Sequence, residues 1–360
     1  LNSAKKLKIA IVCGTRPELI KISSVVKQLE ARGHDWEIFH TNQHYDENMD
    51  TNFWNELAIP VDKITRFHEK FSLGLVINWL NILLEDYDAV LVQGDTNSVL
   101  CGAIAARQLN IPIGHIEAGI RSYDLKMLEE CNRQMVGRIA TFNFCPTDEA
   151  VKKLELEHIP DNTIYVTGNT IVDAVYMYQD VATDFVKNLV GTEPYALLTM
   201  HRAELVDDSK LLLKMLCLLN LISNKHKVKI IYPIHPRTKK MLEKFSIDIT
   251  KEIDNLIVIE PTSFTQTLAL EKNAKFVITD SGGLQEETCI LRVPCLTIRD
   301  NTERQETLEL NNRLIKPSEV DLYLQEKKLV VLPTVKGYNP YGDGNAAHNI
   351  VTILEKNINV

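Results

Sequence analysis

Three ionisable residues in this 360-residue chain directly follow an apolar run: Asp95 in "GDT" (94–96), Glu117 in "HIEAG" (115–119) and His201 in "TMHRAE" (199–204). In parallel α/β sheets the strand's carboxyl end is the edge where ligands bind. A carboxylate there can move protons; a histidine can move protons or donate to a phosphate oxygen at neutral pH. For Asp95 the competing role is a helix N-cap. Glu117, between "PIGHI" and "AGI", needs a partner, because a lone carboxylate among apolar residues is costly. A histidine at such a place is often a core residue, but Arg202 and Glu204 beside His201 argue against an apolar site. "IHPRT" (234–238) is a weaker case of the same kind. Arg121, Glu129, Glu130 and Arg133 in "RSYDLKMLEECNR" bring both signs of charge together, as a salt-bridged surface helix also would.

Two further stretches could hold an anion. "GTRPELIK" (14–21) follows the first apolar run, with Gly14 for a tight turn and Pro17 at the first helical position. Free amides at such a helix start attract phosphate, and Arg16 and Lys21 add positive charge; the same residues also describe an ordinary turn with solvated charges. "DSGGLQEE" (280–287) follows "KFVI" and offers Ser281, Gly282 and Gly283 to phosphate oxygens. Glu286 or Glu287, about one turn in, could accept two adjacent hydroxyls, as on a ribose. A glycine turn with two exposed glutamates is the plainer alternative. "GDGNAA" (342–347) matches the dinucleotide fingerprint by letter, yet it follows "NPY" and not a strand. With no Walker pattern either, dehydrogenase and NTPase readings fall.

The elements that must position these residues alternate from end to end. Candidate strands are 8–12, 36–41, 89–93, 112–117, 141–145 and 163–168, then 195–200, 229–234, 256–260, 276–280 and 294–298. Segments of helical spacing lie between them, which predicts parallel sheets covered on both faces. The pattern starts twice, near residues 7 and 195, with "GTEP" (191–194) as a linker. The expected fold is α/β, two doubly wound Rossmann-like domains facing a cleft. Their expected bounds are 1–170 and 171–345, with a terminal helix (346–360) packed back on the first.

A net charge of −8 without a basic block gives no footprint for nucleic acid. Seven cysteines show no Cys-x-x-Cys pair and no zinc spacing, so neither a metal nor a disulfide framework is expected. The first apolar run, about six residues, is too short for a signal peptide, and none approaches the ~18 of a membrane span. These features point to the cytosol.

Taken in order, "GTRPELIK", "GDTNS", "HIEAGIRSYD", "EECNRQ", "DSGGLQEE" and "RDNTERQE" resemble the motifs of the non-hydrolysing UDP-N-acetylglucosamine 2-epimerases, and "NPYGDGNAAHNIVTIL" resembles that family's C-terminal segment. The resemblance spans the chain. It implies a glycosyltransferase B type fold with an active site in the interdomain cleft. The implied reaction interconverts UDP-N-acetylglucosamine and UDP-N-acetylmannosamine without metal or NAD, by eliminating UDP to a glycal and adding it back. By the same resemblance Asp95, Glu117 and Glu129 are the catalytic carboxylates, and His201 is the histidine at the diphosphate. Arg16 and Lys21 match the basic residues of the family's opening motif, Ser281, Gly282 and Gly283 bind phosphate, Arg304 the diphosphate end and Glu287 the ribose, and Arg133 contacts the sugar. A homodimer is implied as well. An epimerase of a modified UDP-sugar, or a glycosyltransferase of the same fold, are the alternatives. Three departures from the family pattern stand out. "MLEECNR" lacks the proline that many members carry before the two glutamates. "HRAE" replaces "HRRE", and "TNQHYDEN" (41–48) keeps Gln43 and His44 but has Tyr45 where many bacterial members have arginine.

Overall fold

The computed structural model describes residues 6–43, 51–302, 304–326 and 330–358, so His44, Tyr45 and Glu303 lie outside the described residues. The chain forms two compact units, Leu1–Met177 together with Tyr341–Val360, and Tyr178–Pro340.

The first unit carries β1 (Lys8–Cys13), β2 (Asp35–His40), β3 (Ile64–Arg66), β4 (Ala89–Gln93), β5 (Ile113–Ile116), β6 (Phe142–Cys145) and β7 (Ile164–Val166). They lie in the order β3-β2-β1-β4-β5-β6-β7, every pair parallel. The second carries β8 (Tyr195–Thr199), β9 (Lys229–Pro233), β10 (Leu256–Ile259), β11 (Phe276–Thr279), β12 (Cys295–Ile298) and β13 (Asn312–Ile315). Their order is β10-β9-β8-β11-β12-β13, again all parallel. Both sheets are therefore doubly wound, as the alternating pattern predicts.

Central strands are buried on both faces, which is why β1 ("KIAIVC") and β4 ("AVLVQ") read as unbroken apolar runs. Two strands escape a sequence reading, β3 ("ITR") and β13 ("NRLI"). Each lies at the edge of its sheet with a single neighbour, so no continuous apolar run is required of it.

Strand order places the candidate residues. Each order reverses once, between β1 and β4 in the first unit and between β8 and β11 in the second. At such a reversal the flanking helices leave to opposite faces and open a crevice at the carboxyl ends. Register pairs Val12 with Val92 and Gln93 with Ile116, so Gly14, Gly94–Asp95 and Glu117 come out side by side. In the other sheet Thr199 pairs with Thr279, which sets His201 beside Asp280 and Ser281.

The helix Ala346–Ile358 belongs to the first unit. Its opening amides, at Ala346 and Ala347, donate to the buried carboxylate of Asp173 at 3.2 and 2.9 Å. The last two amides of the "GDGNAA" stretch are thus held by the chain itself.

Candidate functional site

In the first unit Glu117 is the centre of a compact charged cluster. It follows β5 with φ +68°, a left-handed conformation that strains a residue with a Cβ. Lys21 Nζ donates to both its oxygens, at 2.8 and 2.7 Å, and Gln93 Nε2 to Oε2 at 2.6 Å. Thr170 Oγ1 donates in turn to Gln93 Oε1 at 3.4 Å. The Lys21 and Glu117 side chains are only 13 % and 8 % exposed, so the partner that burial demands is Lys21.

Asp95, one strand over, is ion-paired with Arg133, which also donates to Glu130 at 3.2 Å. Asn132 Nδ2 donates to the Asp95 carbonyl at 2.9 Å. The helix Asn97–Gln108 is capped by Thr96, whose hydroxyl accepts from Val99 N–H, so Asp95 is released from capping. Burial raises the Asp95 pKa; Arg133 pulls it down and the Glu117 charge pushes it up again. Of the two adjacent glutamates, Glu130 is buried and accepts from Ser122 N–H, Ser122 Oγ, Gln134 and Arg133. Burial works against its charge, but these donors outweigh it and hold the pKa low. Glu129 is exposed in the first turn of helix Leu128–Ile139, where the helix dipole favours an anion.

The "GTRP" turn differs from its expected use. Gly14 N–H and Thr15 N–H, the amides offered to an anion, both donate to Glu18 Oε2, at 2.8 and 2.7 Å. Thr15 Oγ1 and Thr96 Oγ1 donate as well, at 2.9 and 2.6 Å. Burial lifts the Glu18 pKa to about 7 against these four bonds. Gly14 is required by close approach, since a Cβ there would lie 2.0 Å from Ser98 Oγ and 2.4 Å from Thr41 Oγ1. Arg16 keeps its guanidinium over the Phe53 ring at 4.6 Å.

In the second unit the corresponding turn is open. Ser281 precedes helix Gly282–Leu291, and no side chain caps that helix start. Gly283 is exposed; a Cβ there would meet only Glu287 Oε1 and Ser281 Oγ, both at an ordinary 3.8 Å. Packing therefore does not require this glycine, although glycine weakens a helix by about 1 kcal/mol. Asp280, fully buried at the end of β11, accepts His201 N–H and Arg202 N–H at 2.7 and 2.8 Å. Its other oxygen is 3.1 Å from His201 Nδ1. The Asp280 carboxylate thus holds the His201 ring at the end of its strand. Burial opposes the Asp280 charge, and His201 with the two amides overcomes it to keep the pKa low. His235 packs its ring 4.9 Å from that of His201. Glu286 is buried and paired with Arg304, Nε to Oε1 at 2.7 Å.

The structure thus gathers Lys21, Asp95, Glu117 and Arg133 at one switch point, and His201 and Ser281–Gly283 at the other. Gln93, Asp280 and Glu18 were not singled out from sequence, though each leaves a trace. Gln93 is a polar residue ending an apolar strand, and Asp280 ends "FVITD" as Asp95 follows "AVLVQ". Thr15 and Glu18 carry the Thr-x-x-Glu spacing of a capping box. Among the described residues no group of three or more His, Cys, Asp or Glu side chains is placed to hold a metal ion.

Comparison with known proteins adds independent findings. Residues 27–355 match the family model of UDP-N-acetylglucosamine 2-epimerase. The UDP-N-acetylglucosamine 2-epimerase of Methanococcus maripaludis is 44% identical, over 96% of this chain and 98% of its own. The crystal structure of Methanocaldococcus jannaschii UDP-GlcNAc 2-epimerase in complex with UDP-GlcNAc and UDP superposes with a TM-score of 0.82 at 42% identity, covering 97% of this chain and 100% of that one. The UDP-2,3-diacetamido-2,3-dideoxy-D-glucuronate 2-epimerase of Pseudomonas aeruginosa is 31% identical, over 97% of this chain and 100% of its own.

Proposed function

The chain belongs to the UDP-N-acetylglucosamine 2-epimerase family, and we propose that it is an isomerase interconverting UDP-N-acetylglucosamine and UDP-N-acetylmannosamine. The observation that carries this reading is the pair of carboxylates Asp95 and Glu117, on adjacent strand ends at a switch point, Glu117 paired with Lys21 and Asp95 with Arg133. Such a pair suits proton transfer at a carbon whose hydrogen is not acidic. In the proposed route the carbon 2 proton leaves as the carbon 1–oxygen bond to UDP breaks, giving a glycal and UDP. A proton is then delivered to the opposite face of carbon 2, and a UDP oxygen re-forms the bond to carbon 1. Hydrogen moves only as a proton, so the route draws on no redox cofactor.

Asp95, Glu117 and Glu129 are the proposed proton-transfer groups. The raised pKa of Asp95 lets it exchange a proton more readily near neutral pH than an ordinary aspartate does. Lys21 holds Glu117, Arg133 holds Asp95 and reaches toward the sugar, and Arg16 adds positive charge. In the second unit, the uncapped amides of Gly282 and Gly283 with the Ser281 hydroxyl take the diphosphate, aided by His201 and Arg304. Glu287 takes the ribose hydroxyls.

Incubation with UDP-N-acetylglucosamine in deuterated water tests the proposal. Formation of the manno epimer with deuterium at carbon 2 is expected; no exchange and no epimer would sink it for this substrate. The relationship to the diacetamido-glucuronate enzyme favours a second reading, the same chemistry on a modified UDP-sugar, and the same assay with that nucleotide sugar separates the two.

The chain also works in the cytosol and as a homodimer in this proposal. Its seven cysteines are all free, and Leu73, Leu75 and Ile82 are 41 %, 46 % and 77 % exposed along helix Leu73–Leu83. No helix among the described residues is long and apolar enough to cross a membrane. Cell fractionation checks the compartment, and sedimentation at equilibrium checks the dimer, which a monomer mass would exclude.

A further inference from the structure

A buried polar network stands behind the proposed diphosphate cradle, and the chemistry above does not use it. At its centre is Gln285, 0 % exposed on helix Gly282–Leu291. Its Nε2 donates to the Ser281 carbonyl at 3.1 Å. Its Oε1 accepts from Thr302 Oγ1 at 2.6 Å and from Asn312 Nδ2 at 3.0 Å. Thr302, Thr307 and Asn312 are themselves buried.

Both outer branches end on the backbone of one residue. Arg304 N–H donates to Thr302 Oγ1 at 3.1 Å, so the Thr302 hydroxyl gives its own proton to Gln285. The Arg304 carbonyl accepts from Thr307 Oγ1 at 2.7 Å, and Thr307 Oγ1 accepts from the same Asn312 Nδ2 at 3.0 Å. Thr297 Oγ1 donates to Asn312 Oδ1 at 2.8 Å, which fixes that amide in turn. Ser281 is held on its other side, where its N–H donates to Thr279 Oγ1 at 2.9 Å. The Gln285 oxygen thus faces two donors and its nitrogen a carbonyl, so only one orientation of this amide is allowed.

Burying so many polar groups is costly unless each is satisfied, and a satisfied network specifies a single geometry. Here it fixes the separation of two elements: the turn at Ser281 that opens the cradle, and the backbone that carries the Arg304 guanidinium. We propose that Gln285 is a positioning residue for diphosphate binding, setting that turn and Arg304 at a fixed distance before the ligand arrives. The proposal rests on the reading of Arg304 as the group at the diphosphate end. Glu286 is paired with the Arg304 side chain and the network holds its backbone, so the two restraints are separate. With the backbone restraint cut, ordering Arg304 falls on the ligand.

Titration calorimetry with UDP and UMP on the full-length chain tests this, because the two nucleotides differ only in the terminal phosphate. The unmodified protein prefers UDP. Thr302→Val, nearly isosteric, removes the hydroxyl between Gln285 and Arg304. It loses roughly tenfold on UDP and less than about twofold on UMP, as expected for a weakened bond to a charged group. Thr302→Ser restores the hydroxyl and, with it, the preference. Gln285→Leu, which releases Ser281 as well, loses affinity for both nucleotides and more for UDP. An unchanged UDP-to-UMP ratio in Thr302→Val or Gln285→Leu would overturn the proposal. So would an equal fall on both nucleotides in Thr302→Val, because disturbed packing alone would produce it. Arg304→Gln separates premise from inference. If it keeps the preference for UDP, Arg304 is not at the diphosphate end and that reading falls. If it loses the preference while Thr302→Val keeps it, the Gln285 role alone falls.

Discussion

Replacing Lys21 by methionine isolates the ion pair at the centre of the first unit. Glu117 accepts two bonds from Lys21, at 2.8 and 2.7 Å, and one from Gln93, at 2.6 Å. With side chains 13 % and 8 % exposed, the pair is too buried for water to replace the ammonium freely. Removing one member of a buried pair destabilises by about 3–5 kcal/mol, because the other charge is left uncompensated. Gln93 remains as one neutral donor, which places Lys21→Met near the lower end, about 3 kcal/mol. The double variant Lys21→Met/Glu117→Gln removes the orphaned charge and should recover about 2 kcal/mol of that. Urea denaturation followed by tryptophan fluorescence is the suitable assay. All three tryptophans, Trp36, Trp54 and Trp79, lie in the first unit, so the signal reports that unit alone. A loss below about 1 kcal/mol in Lys21→Met would mean that the pair behaves as a solvated surface contact. A double variant no more stable than the single one would mean that the two side chains are not coupled. Either result refutes the reasoning.

Glu18 makes the stability of the first unit depend on pH. Its folded pKa of about 7 lies above the ordinary 4.5, so its contribution is full below 4.5 and is lost as pH rises to 7. Relative to Glu18→Gln, which cannot titrate, the unmodified protein should lose about 3 kcal/mol over that range; parallel pH profiles in urea melts would contradict it. The two glycine turns should respond oppositely to alanine. Gly14→Ala forces a Cβ to 2.0 Å from Ser98 Oγ and should destabilise by about 3 kcal/mol. Gly283→Ala should leave stability unchanged or raise it by about 0.5–1 kcal/mol while weakening UDP binding, and calorimetry showing undiminished affinity would refute the diphosphate role.

Much of this was legible in the sequence because local physics and the final fold agree. Strands buried on both faces must be continuously apolar, so β1, β4, β8 and β11 announce themselves and, with them, the turns that follow. Edge strands carry no such demand, which is why β3 and β13 were silent. The "DSGG" turn could be read for open amides from its glycines alone. The "GTRP" turn could not, because whether its amides are free depends on the Glu18 rotamer and on Thr96 from another strand's turn.

By itself, then, the sequence determined the fold class, the residues at strand ends and their chemical types, since those follow from periodicity and side-chain chemistry. Only the tertiary structure decided who partners whom. Asp95 could have capped a helix until Thr96 was found doing so. Glu117 needed some cation, and strand order chose Lys21, 96 residues away. Of the glutamates in "QEE", Glu286 is turned to Arg304. Pairings of this kind depend on contacts between residues far apart in the chain, and no local pattern encodes the separation that burial and register finally set.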